Sequence, residues 1–148
     1  MREAINILLT ILPITVLFIL IKLFTRTLRQ PKRIISEENG MKKISSNPSY
    51  FGGSSRAEYY YDDSFLYEIK NNTTHKVELS KIIAVKPGYT TINNRRKWTV
   101  IYLNEGEQRQ LQFYHNLTLF NQNFAGFLAT VAQKNPDAEV KKLSFLNM

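Results

Sequence analysis

His75 and His115 are the only histidines in the chain, and there is no cysteine. A nucleophilic or general-base role needs a carboxylate or hydroxyl placed against such a ring. A zinc site needs His or Cys ligands at short paired spacings, and these are absent. His75 follows a turn signal and His115 closes a strand pattern, so both read as structural residues. Asp62-Asp63 and Glu37-Glu38 are paired carboxylates in sequence only. Adjacent side chains point in different directions, so they read as solvated turn residues rather than an acid/base pair. Gly52-Gly53-Ser54-Ser55 lacks the lysine and apolar helix that follow a phosphate loop, and reads as a hinge. The expectation is a protein that is not an enzyme and holds no cofactor and no metal.

Two clusters remain, and both suit contact rather than catalysis. Arg95-Arg96-Lys97-Trp98 sets three cations beside the single tryptophan. On a surface this would be a contact for anionic lipid headgroups or for a partner, with Trp98 as an interfacial anchor. In a core, Trp98 would be packed and only the cations would be solvated. Tyr59-Tyr60-Tyr61, with Tyr67 and Tyr89, forms the second cluster. Consecutive strand residues alternate faces, so at least one of the three points outward, where tyrosines suit protein contacts.

The net charge of +8 is uneven. Residues 1–21 sum to zero, 22–43 to +5 and 44–148 to +3. The basicity therefore belongs to a short segment, Lys22, Arg26, Arg29, Lys32 and Arg33, which anionic headgroups attract at about 1 kcal/mol per residue near the surface. A nucleic-acid binder would need its basic face on the folded part, so no nucleic-acid partner is expected.

These residues must be positioned by the elements around them. Ala4 to Ile21 is an uncharged, mostly aliphatic run of 18 positions. As a helix it would be about 27 Å long, near the hydrocarbon thickness of a bilayer. A cleaved signal peptide would want a basic start and small residues at a cleavage site, and neither is present. Pro13 is tolerated in a spanning helix. The reading is a transmembrane helix over 4–24. The basic flank on its C-terminal side sets a single-pass protein in the cell inner membrane with the following domain cytoplasmic.

Loop signals crowd the next stretch, at Gln30-Pro31, Asn39-Gly40, Asn47-Pro48 and Gly52-Gly53, so 25–55 reads as a basic juxtamembrane segment and linker. Ile34-Ile35 and Met41 to Ile44 interrupt it as short ordered pieces. From 56 to 148 the pattern is a single small domain. Period-two strands are expected over 57–61, 65–69, 75–79, 81–85, 89–92, 98–103 and 109–114, the sixth covered on both faces. Leu117, Phe120, Phe124, Phe127, Leu128 and Val131 then form the apolar stripe of a helix that Asn135-Pro136 ends, with Phe127 in the core.

The segment from Tyr59 to Val140 resembles a bacterial pleckstrin-homology-like (PH-like) domain. The resemblance rests on Leu79-Ser80-Lys81-Ile82-Ile83-Ala84-Val85 in mid-domain, the Trp98–Leu103 strand, the Gly106 hairpin and the last helix closing in Asn-Pro. It implies a mainly-β domain of six to seven antiparallel strands in two orthogonal sheets, capped by a C-terminal α-helix. It also implies a binding scaffold whose fold does not name its ligand. The functional expectation is a membrane-anchored adaptor that contacts a protein partner at the inner membrane. The alternatives are an immunity-type protein that neutralises a toxin and a sensor of anionic lipid headgroups.

Overall fold

The computed structural model describes residues 2–29, 33–47, 57–144 and 146–147, with the side chains of the first helix described from Ile11 to Thr25. The Gly52-Gly53-Ser54-Ser55 hinge and Lys32 lie outside the described residues. So do the side chains of Arg26 and Arg29.

Helix α1 (Arg2–Arg29) runs through the apolar stretch with Pro13 inside it. Thr15 Oγ1 donates to the Ile11 carbonyl at 2.9 Å. Ile11, Leu12, Ile14, Val16, Leu17, Phe18, Ile19, Leu20, Ile21 and Leu23 are all roughly half exposed or more. The apolar surface therefore goes round the helix instead of forming a stripe. Among the described residues no helix is long and apolar enough to cross a membrane. Those described side chains begin seven residues into the Ala4–Ile21 run.

The remaining chain is mainly β, in two sheets. Strands β1 (Lys42–Lys43), β3 (Glu58–Tyr61), β4 (Phe65–Lys70) and β5 (Thr73–Glu78) form one, in the order β1-β3-β4-β5. Strands β2 (Ser45–Ser46), β8 (Glu107–His115), β7 (Arg95–Asn104), β6 (Ile82–Ile92) and β9 (Glu139–Val140) form the other, in that order. β1 and β2 are one stretch of chain interrupted at Ile44, so residues 42–46 belong to both sheets. Ile44 is fully buried between them, donating its N–H to Tyr59 and accepting from Asn116 N–H. The sheets thus draw on residues before 56: part of the segment read as linker supplies an edge to each sheet. Its loop signals were local, whereas its hydrogen bonds are made with residues far along the chain.

Three two-residue turns join consecutive strands, at Asn71-Asn72, Asn93-Asn94 and Glu105-Gly106, and all six residues have positive φ. That geometry matches strand twist in tight hairpins, and Asn and Gly tolerate it best. Of the expected 81–85 strand, Lys81 ends a 3-10 turn, while 82–85 and 89–92 belong to the single long β6, which bulges between Pro87 and Thr91 opposite Lys97. The backbones approach closely there: a Cβ on Gly88 would stand a tight 3.2 Å from the Lys97 carbonyl oxygen.

Helix α2 (Asn123–Lys134) closes the sandwich with Phe124, Phe127, Leu128 and Val131. The helical stripe starts later than the spacing predicts. Leu117 is buried in a loop, and Phe120 is 71% exposed. Thr118 Oγ1 accepts from the N–H groups of Phe120 and Asn121, folding these residues into a turn before the helix can begin. β7 also differs from expectation. Trp98, Val100 and Tyr102 are buried, but on the other face Thr99 and Ile101 are half-buried and Leu103 is 43% exposed.

Candidate functional site

The end of the five-stranded sheet that carries the β6–β7 hairpin holds Arg95, Arg96 and Lys97. Alternation along β7 divides them between two faces. Arg95 and Lys97 share the outer face with Thr99, whereas Arg96 shares the inner face with Trp98. The cluster is therefore not a single patch. Lys97 Nζ donates to Gln112 Oε1 at 3.2 Å across the strands. Arg96 is half-buried, and its Nε is buried with no hydrogen-bond partner. Trp98 has no exposed surface and packs edge-on against Phe124, ring centroids 5.0 Å apart. Of the two readings of Trp98, the packed one fits: its side chain alternates in phase with Val100 and Tyr102, which fill the core. The exposed aromatic of this region is Tyr89, wholly solvent-exposed at the β6 bulge.

The tyrosine cluster is mostly internal. Tyr59 and Tyr61 enter the core. Tyr60 points the other way, yet is covered by Lys43, whose ammonium lies 5.4 Å from the ring centroid. Its hydroxyl donates to Glu58 Oε2 at 2.7 Å, and Lys43 binds the other oxygen. Hydrogen bonds from Lys43 and Tyr60 hold the Glu58 carboxyl below its usual range.

His75 is exposed on the edge strand β5. His115 is buried, stacked on Phe124 with centroids 5.4 Å apart, and its Nδ1 accepts the Leu117 N–H at 3.2 Å. Burial, and then the charge of Arg95, push its pKa down to about 4. The imidazole therefore stays neutral in the fold at pH 7. As pH falls through the ordinary histidine value near 6.5, the unfolded chain takes a proton that the native state refuses, so stability drops until about pH 4. A His115→Phe chain should show a shallower acid limb in this window, by up to one linked proton in urea melts collected across pH.

Among the cations at and after the end of α1, Lys22 is exposed on the helix. Arg33 is exposed beside α2, its guanidinium 5.2 Å from the centre of the Phe120 ring. The backbone around it is bound to the domain. Gln122 N–H donates to the Arg33 carbonyl at 2.8 Å. Buried Asn123 accepts from Ile35 N–H at 2.7 Å and donates to the Ile35 and Lys43 carbonyls at 2.8 and 2.9 Å. The Ile34 side chain and the Tyr61 hydroxyl lie so close to Gly126 that a Cβ there would collide with both. Sequence reasoning missed Asn123 and Gly126, which look like a helix-start residue and a flaw in a helix. Ile34-Ile35 and Met41 to Ile44, apolar pieces among loop signals, are the sequence traces of the docked segment.

Beyond Lys97 the outer face of β7 turns to uncharged side chains. Thr99, Ile101 and Leu103 of β7 pair there with Gln112, Gln110 and Gln108 of β8, bordered by Lys97 and by Lys86, which pairs with Thr99. Among the described residues no group of three or more His, Cys, Asp or Glu side chains could hold a metal ion. No family model matches the chain, and no curated protein matches it.

Proposed function

We propose that this protein is a non-enzymatic binding module, anchored by α1 in the inner membrane, whose cytoplasmic PH-like domain takes a protein partner on the outer face of β7 and β8. The observation that carries the partner reading is the Thr99–Ile101–Leu103 row set against Gln108, Gln110 and Gln112. Interface centres are depleted of charge, and between Lys97 and the β7–β8 turn this row combines apolar side chains with uncharged hydrogen-bonding ones. The PH-like reading is supported by the strand order. Counting 42–46 as one strand gives seven antiparallel strands in two meanders, the first shared by both sheets, with a closing helix and the short β9 added parallel to β6.

Anchoring is supported by the length of α1, whose 28 residues extend about 42 Å, and by apolar side chains on all its sides. The cytoplasmic placement rests on Lys22, Arg26, Arg29, Lys32 and Arg33 following the apolar run. Tethering of this kind raises the effective concentration of the domain for a partner in the same membrane.

Capture of the full chain in mild detergent should bring down one partner in stoichiometric amount, and Leu103→Glu with Gln110→Glu should abolish that capture without altering the melting curve. Capture that survives the double substitution would move the partner site elsewhere. A reporter after Met148 should register as cytoplasmic, and an external signal would overturn the orientation.

A further inference from the structure

The loop between β8 and α2 stands at the same end of the sheet as the β6–β7 hairpin. β8 ends at His115, and extending the Lys97↔Tyr114 register sets His115 opposite Arg96, two residues from the Asn93-Asn94 turn. Leu117, buried, roots the loop. Its tip is closed on itself: Thr118 N–H donates to the Asn121 carbonyl at 2.8 Å, while Thr118 Oγ1 accepts from Asn121 and Phe120. Leu119 and Phe120 are thereby held outward on a rigid turn, 50% and 71% exposed. Two adjacent large apolar side chains at the tip of a polar-pinned turn call for an apolar environment to enter.

The surroundings name that environment. Arg33 lies over Phe120, and its carbonyl is bonded to Gln122 at the loop's end. Between Arg33 and the last residue of α1, Arg29, only three residues intervene. Four chain steps reach at most about 14 Å, so the loop cannot stand far from the end of α1. Phe24, near that end, packs against the edge of the domain core. Arg95 and the fully exposed Tyr89 belong to the same end of the sheet. Apolar tips with one cation against them and another at the same end of the sheet fit the boundary between acyl chains and anionic headgroups.

We propose that the 118–121 loop is a second membrane contact, inserting Leu119 and Phe120 into the bilayer that holds α1 while Arg33 and Arg95 meet lipid phosphates. This rests on the anchor reading above. It gives the domain a fixed face toward the membrane, in addition to a tether.

The absence of cysteine lets single spin labels be placed in the full chain. Labels at Leu17→Cys in α1, Leu119→Cys in the loop and Glu105→Cys at the far β7–β8 turn would be read in phosphatidylethanolamine–phosphatidylglycerol vesicles, by their accessibility to oxygen and to a nickel chelate. The expected result is immersion at 17, interfacial immersion at 119 and full nickel access at 105. Adding Phe120→Asp to the 119-labelled chain should raise its nickel accessibility several-fold. An aqueous label at 119 beside an immersed one at 17 would overturn the loop contact and leave the anchor standing. Immersion at 119 that survives Phe120→Asp would also overturn it, since proximity alone would then account for the depth. An aqueous label at 17 would remove the anchor and the loop contact together.

Discussion

A chain beginning at Arg56 is expected to show no cooperative melting transition, whereas one beginning at Arg33 should melt as a single unit. The shorter chain lacks Ile44, which has no exposed surface, and leaves the edges of β3 and β8 without the residues that pair them. It also strips Asn123 of its partners at Ile35 and Lys43, stranding a buried amide. An unsatisfied buried polar group costs about 1–3 kcal/mol, and loss of a buried isoleucine about 2–5. Together these approach the whole stability of a small domain, about 5–15 kcal/mol. Circular dichroism on both chains, melted side by side, decides the matter. A cooperative transition for the Arg56 chain would show that 42–46 decorates the sandwich and is not needed to build it.

Phe124→Ala should cost about 3–5 kcal/mol in the chain that begins at Arg33. The ring meets Trp98 at 5.0 Å, His115 at 5.4 Å, Phe113 at 5.9 Å and Phe127 at 6.3 Å, centroid to centroid. Truncation therefore opens a cavity bordered by residues from two strands of the larger sheet and from α2 itself. None of these rings can close the gap without leaving its other contacts, because packed interiors relax only in part. Urea denaturation gives the number. A loss under 1 kcal/mol would mean that α2 can be levered away from the sheet at little cost.

Most strands were legible because one side of each faces the core. Leu111 and Phe113 alternate with exposed glutamines, and Trp98, Val100 and Tyr102 keep the same beat. The hairpin turns were legible from Asn-Asn and Glu-Gly pairs. Two kinds of information escaped. Strands of two residues, such as Lys42–Lys43 and Ser45–Ser46, are too short to show a period. Side-chain bonds to distant backbone leave no local trace, so Asn123 looked like any residue near a helix start. The candidate site was partly legible for the same reasons. Arg95, Arg96 and Lys97 were found by type, but only alternation along β7 shows that they divide between two faces and that Trp98 belongs inside. Leu119 drew no notice and Phe120 was placed on the helix, since their exposure depends on a turn pinned by one threonine hydroxyl.

The bond from Asn123 to Ile35 spans 88 residues, and this has a bearing on the order of events during synthesis. The ribosome makes residues 33–46 before any of their partners exist. Lys42–Lys43 can pair with β3 soon after it is made, but Ile35 and Ser45–Ser46 cannot be seated until β8 and the first turn of α2 have emerged. Until then β8 keeps an open edge, the kind of surface through which nascent chains pair wrongly with one another. Folding of this domain is thus timed by its C-terminal third, and a pause in translation before Asn123 would prolong the vulnerable state.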